Sequence, residues 1–192
     1  LRMKNRSLLI STVFVITLLC RTSLAEADPL PVPYVKKGAC SFEGCTYGIW
    51  DVLKDTYVYE KPGKNSREVG QVLHGEKVRA LTGNVYVIPG RAKAIGRPHR
   101  SAVNLNPEKE IFILDYIGEG YSRVFQDGVY AEVKIARSKN QCKEDPNWRY
   151  CWAEVIEDPV SSWWVFIESL DGKIKGWVLM EGGALKPIDA FS

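Results

Sequence analysis

The sequence predicts an all-β protein made of one or more small barrels. Three observations carry this. Apolar residues alternate with a period of two in short runs, turn-forming pairs punctuate those runs about a strand apart, and no long, capped helical period occurs.

Residues 1–25 read as a secretory signal. Arg2, Lys4 and Arg6 make a cationic start, Leu8–Leu19 is an uncharged, mostly apolar run, and Ser23-Leu24-Ala25 offers small residues at the minus-three and minus-one positions of a cleavage site. The run is shorter than the roughly 20 residues needed to span a bilayer, so no stable membrane span is expected after cleavage. A retained anchor is the competing reading. A lipidated Cys20 is disfavoured because Leu19 stands where such signals carry a small residue. The expected location is periplasmic or extracellular.

Removal of the signal changes the charge argument. The full chain has 26 Lys+Arg and 23 Asp+Glu, and residues 1–25 hold four of the cations and none of the acids, leaving 22 against 23. A mature net charge of −1 gives no support to a nucleic-acid partner or an anionic surface.

Cys40, Cys45, Cys142 and Cys151 remain after the signal and suggest two disulfides in an oxidising compartment. Local pairing, Cys40–Cys45 and Cys142–Cys151, closes short loops and is the preferred expectation. Cross-linking of the N-terminal arm to the later segment is the alternative. A zinc site is disfavoured because C-x4-C and C-x8-C lack the short C-x2-C knuckle. No metal and no cofactor is expected.

Glu26–Tyr34 holds three prolines and reads as an extended arm, followed by a Gly-punctuated loop that the first cysteine pair could staple. From Val52 the short β runs begin. Tyr57 and Tyr59 alternate, Lys61-Pro62-Gly63 breaks the run, and Val69, Val72 and Val78 resume it. Leu73-His74-Gly75 and Thr82-Gly83-Asn84 are read as turns. Glu110–Tyr116 is apolar on both faces, Ile111, Ile113 and Asp115 on one and Phe112, Leu114 and Tyr116 on the other, which predicts a strand buried on two sides. Asp127-Gly128 reads as a hairpin turn. Gly90–Glu110 and Ala136–Tyr150 read as polar loops. Only the segment from Met180 to Phe191, or part of Ala92–Val103, is expected to form a helical turn.

The stretch from Trp163 to Leu179, WWVFIESLDGKIKGWVL, is then a hairpin. Trp163, Val165 and Ile167 point inward, Leu170-Asp171-Gly172-Lys173 turns the chain, and Trp177 is expected back in the core. Each tryptophan buries about 200 Å², which helps to close a small barrel.

Val58–Leu81 and Trp163–Leu179 together resemble the two halves of a bacterial SH3-like (SH3b) domain, the DGK…GWV run being the most specific part. The resemblance covers about a quarter of the mature chain. In that family the halves lie close together, whereas here some eighty residues separate them. The expected architecture is therefore one or more small SH3-like barrels, one module interrupting the other. Residues 26–50 would form an N-terminal arm, 51–84 with 160–180 the barrel, 85–159 an inserted β-rich module, and 181–192 a C-terminal tail. A tandem arrangement is the alternative. The resemblance implies a binding or positioning role, with a cell-wall or envelope peptide, or another envelope protein, as partner.

Chemistry-bearing residues give less. His74 sits in a turn, and His99 is flanked by arginines with no adjacent base or nucleophile. Oxidised cysteines leave no Cys–His nucleophile, and no G-x-S-x-G, S-x-x-K, H-E-x-x-H or P-loop pattern occurs. Glu119 and Asp115 are the acids to inspect for a carboxylate-dependent wall hydrolase. A buried Asp115 is expected to be paired or hydrogen-bonded. Arg91, Lys93, Arg97 and Arg100 form a basic loop, either an acidic-partner surface or a solvated face.

Aromatic residues are the better binding candidates: Tyr57, Tyr59, Tyr121, Trp163 and Trp164. With Trp163 in the core, Trp164 points the other way and should floor a groove, unless another module covers it. The reading is an exported, non-catalytic binding or scaffolding protein. A structural protein with no free groove and a carboxylate hydrolase are the alternatives.

Overall fold

The computed structural model describes residues 29–190 except 41, 43, 97–104, 137 and 145–149. The strands among these are β1 (Tyr34–Lys37), β2 (Cys45–Val52), β3 (Thr56–Tyr59), β4 (Glu68–Val72), β5 (Lys77–Ile88), β6 (Gly90–Ala94), β7 (Glu110–Gly118), β8 (Tyr121–Gln126), β9 (Val129–Lys134), β10 (Ala153–Glu157), β11 (Val160–Ser169), β12 (Lys175–Leu179) and β13 (Leu185–Asp189). One helix of a single turn, α1, spans Gln141–Glu144. The protein is all-β, with a strongly curled half-barrel sheet and a second antiparallel sheet.

The half barrel runs β13-β2-β5-β11-β12-β3-β4, with β1 also paired to β5. Its concave face follows from the period-two pattern. Trp163, Val165 and Ile167 of β11, Val85 and Val87 of β5, Val58 of β3, Val178 of β12 and Trp50 of β2 all enter one buried cluster. The Trp50 ring stands 5.9 Å from that of Trp163, and Tyr47 stacks on Trp50 at 5.7 Å.

The second sheet runs β10-β6-β7-β8-β9. Its core gathers Ala92, Ile111, Ile113, Val124, Val133, Ile135, Trp152 and Val155. Asp127 and Gly128 form the two-residue turn between β8 and β9, both at positive φ, which suits a primed hairpin turn. Along β7, Ile111, Ile113 and Leu114 are buried and Phe112 and Asp115 partly so, a bulge after Ile113 shifts the register, and Tyr116 is exposed.

One continuous ribbon joins the sheets. β5 pairs with β11 as far as Ile88↔Val160, and beyond the corner at Pro89 and Pro159 the same two chains pair again as β6 and β10. Gly90 stands at that corner. A Cβ there would lie 2.6 Å from the Pro159 nitrogen and 2.7 Å from the Glu157 carbonyl oxygen, so the two chains approach closely only because no side chain intervenes. Strand β1 adds a second tie. Arg123 donates to the Tyr34 hydroxyl at 3.1 Å, and Lys36 pairs with Asp115 at 2.8 Å, which gives that buried acid its partner.

Both disulfides are local, Cys40–Cys45 and Cys142–Cys151. These bonds point to an oxidising, extracytoplasmic location, and among the described residues no helix is long and apolar enough to cross a membrane. Residues 1–28, which hold the signal reading, lie outside the described residues.

Four local expectations are corrected. Thr82-Gly83-Asn84 does not turn, because β5 runs unbroken through it, and Gly83 instead admits the Tyr47 hydroxyl and the Trp163 ring to close approach. Gly90–Ala94 is a strand, because β7 and β10 hydrogen-bond to it on both sides. The segment after Met180 is not helical, since Leu185–Asp189 pairs with β2. The helical turn lies instead at Gln141–Glu144, inside the segment read as a loop.

Candidate functional site: an aromatic band on the outer sheet face

Alternation that sends Trp163 and Val165 inward sends Trp164 and Phe166 to the convex face. Cross-strand register decides the rest. Trp164 lies opposite Leu179, Phe166 opposite Trp177, and Trp177 opposite Tyr59, so these side chains share the convex face across β11, β12 and β3. On β5, Ser162 faces Tyr86 and Val160 faces Ile88, which extends the face to a fourth strand. Trp177 is thus corrected: it belongs to the outer face, partly buried, and Val178 takes the core position.

The rings touch in pairs. Tyr59 meets Trp164 edge-on at 5.7 Å, and Phe166 lies 5.1 Å from Trp177 with Lys175 over its ring at 5.9 Å. Trp164 is only 5% exposed, so it does not floor an open groove. The second sheet is not what covers it. A cleft of about 280 Å³ opens beside it, walled by Tyr86, Ile88, Val160 and Ser162 on the sheet and by Pro33, Pro62 and Gly63 from the arm and the β3–β4 loop. At the rim Ile88 is 52% and Val160 65% exposed.

The candidate residues divide accordingly. Tyr57, Tyr59 and Trp164 share the convex face, with Tyr57 half exposed. Trp163 is in the core. Tyr121 is on the other sheet, under the Lys134 ammonium at 4.7 Å. Phe166, Trp177, Tyr86, Pro33 and Pro62 were not singled out from sequence. Pairing the hairpin residues across Leu170–Lys173 would have found the first two, whereas the cleft walls come from segments distant in the chain.

Of the basic cluster, Arg91 does not stand free. The Arg91 guanidinium binds Glu157 through Nε at 2.8 Å and through Nη2, and reaches Glu110 at 3.1 Å. The Glu157 hydrogen bond first, and then the charges of Glu110 and Glu157, hold Arg91 protonated above its ordinary range, while Arg91 in turn keeps the Glu157 carboxyl below its own. Arg91 is therefore a clamp on the ribbon corner. Lys93 is exposed on β6, and Arg97, His99 and Arg100 lie outside the described residues. His74 is exposed in its turn, its backbone N–H donating to Asp55 Oδ1 at 2.8 Å, and Glu119 occupies a tight turn at positive φ.

No carboxylate, imidazole or thiol is among the described residues that line the cleft. Aromatic faces, proline rings and two serine positions can hold an extended chain by packing, with few directed hydrogen bonds. Among the described residues no cluster of three metal-ligating side chains forms. Comparison with protein-family models, with curated proteins and with solved structures finds no significant match for this chain.

Proposed function

We propose that this is a non-catalytic binding or scaffolding protein of the bacterial envelope that recognises an extended, apolar cell-wall or envelope peptide. The supporting observation is the cleft beside Trp164. Its walls combine proline and aromatic rings, the chemistry by which grooves in SH3-type modules take extended peptides, and the motif halves that resemble an SH3b domain contribute Pro62, Gly63 and Trp164 to it.

Removing Trp164 tests folding as much as binding, so the rim is the better target. The double variant Ile88→Lys/Val160→Lys changes two exposed side chains. Retention of the purified protein on isolated cell wall and on arrayed envelope peptides is expected to fall at least tenfold in this variant, with the circular dichroism spectrum unchanged. Equal retention of variant and wild type would remove the cleft from the proposal.

A second reading has an observation of its own. Trp164 is nearly covered, as an assembly protein with no free groove requires. That reading expects no retention by wall material from either form.

A further inference from the structure

Where the concave face of the half barrel meets the second sheet lies a cavity of about 250 Å³ whose lining includes Val85, Val87, Leu114, Lys36, Asp115 and Ser122, with Ser161 shared at its edge with the cleft. It lies on the opposite side of β5 from the peptide cleft, because Val85 and Val87 alternate with Tyr86.

Two polar atoms at this cavity have no partner among the described residues. The Asp115 side chain is 7% exposed, and its Oδ2 accepts from Lys36 at 2.8 Å, but its Oδ1 has no hydrogen-bond partner among the described residues. The Ser122 hydroxyl is likewise unpartnered, on a residue that is fully buried. Desolvated oxygens without partners oppose folding. Two such atoms beside one cavity point to a bound molecule that completes them.

The chemistry of that molecule follows from the groups. Asp115 Oδ1 accepts only, so the ligand donates an N–H or O–H there. Lys36 donates only, so it favours an acceptor on the ligand. Lys36 and Asp115 cancel each other's charge, which disfavours a charged ligand, and the valine and leucine walls call for an apolar body. We propose that the sheet junction is a binding site, separate from the peptide cleft, for a small neutral amide whose N–H meets Asp115 Oδ1, whose carbonyl accepts from Lys36 and from the Ser122 hydroxyl, and whose alkyl part lies on Val85, Val87 and Leu114. The ligand is smaller than the molecules held in the roughly 300–1,000 Å³ sites of drug-sized compounds.

The test is an amide-resonance NMR titration of the purified protein with N-isobutylacetamide, using N-isobutyl-N-methylacetamide as a probe of nearly equal size that lacks the donor. Saturable shifts are expected at Lys36, Val85, Asp115 and Ser122 and not at Tyr86 or Trp164. Binding should weaken at least fivefold with the methylated probe and again in Ser122→Ala, whose dispersed spectrum reports that it folds. Shifts that do not saturate, or that are equal for the two probes, would overturn the proposal. So would water cross-peaks at Ser122 that persist unchanged through the titration, because ordered water would then be the partner. None of these results bears on retention by cell wall, so the two sites stand or fall separately.

Discussion

The ring of Trp164 meets that of Tyr59 edge-on, with centroids 5.7 Å apart and planes at 82°, on the sheet face that its neighbour Trp163 does not reach. One step along β11 therefore separates a core tryptophan from a surface-facing one. The second packs on Tyr59 and is only 5% exposed, so the convex face is ordered by its own aromatic packing rather than left to solvent.

That packing should be measurable as coupling. In a double-mutant cycle of Tyr59→Leu and Trp164→Leu followed by urea unfolding, the two changes are expected to interact by about 0.5–1.5 kcal/mol, the range for edge-to-face pairs. Additivity to within about 0.3 kcal/mol would mean that the rings merely share a face.

The ribbon corner makes a steric prediction. Gly90→Ala places a methyl group against the Pro159 ring and the Glu157 carbonyl, backbone and ring atoms that cannot rotate away. A loss of about 1–3 kcal/mol is expected in chemical unfolding. Gly96→Ala, whose added carbon would lie 3.7 Å from its nearest neighbour at an exposed position, should stay within about 0.5 kcal/mol. Equal effects at the two glycines would contradict the close approach at the corner.

These two predictions mark how far the sequence could be read. Short strands, the Asp127-Gly128 turn, the inward triplet Trp163, Val165 and Ile167 and the local disulfides were legible, because each rests on neighbours within a few residues. Trp177 was misplaced because its face is set by the residue opposite it, Phe166, and not by its own strand alone. Gly83 and Gly90 look alike in sequence to turn glycines, yet both serve close approach between chains far apart in number. The cleft needed Pro33, Pro62 and Tyr86 brought together by pairing across the half barrel, and the Lys36–Asp115 contact joins residues 79 positions apart. No local pattern encodes such meetings.

The disulfides close loops of 5 and 9 residues of separation. In the chain-entropy account each constrains the unfolded chain by about 2–3 kcal/mol. Replacing Cys142 and Cys151 together by serine should lower stability by that order and expose the buried Trp152, which packs in the same core that Cys142 touches. Urea midpoints with and without reductant, read by tryptophan fluorescence, check this. No change on reduction of the wild type would show that the bonds do not bear on folding.

Acid should act through the hairpin turn after β11. The Ser169 hydroxyl donates to Asp171 Oδ1 at 2.7 Å, the Lys173 N–H donates to the same oxygen at 3.1 Å, and the Lys173 ammonium lies 3.0 Å from Oδ2. These contacts, the Ser169 bond foremost, favour the ionised form and hold the carboxyl well below the ordinary range. The sign follows: the unfolded chain takes up the proton near the ordinary value of about 3.9, the folded one only at lower pH. The stabilisation is therefore complete above about pH 5 and is lost as pH falls below 4 towards the folded value. In Asp171→Asn the contribution is absent at every pH. The gap between wild-type and variant urea midpoints is expected to be constant from pH 7 to 5 and to narrow steadily from pH 4 to 2; a gap that keeps its size at pH 2 would show that Asp171 does not hold the turn by charge.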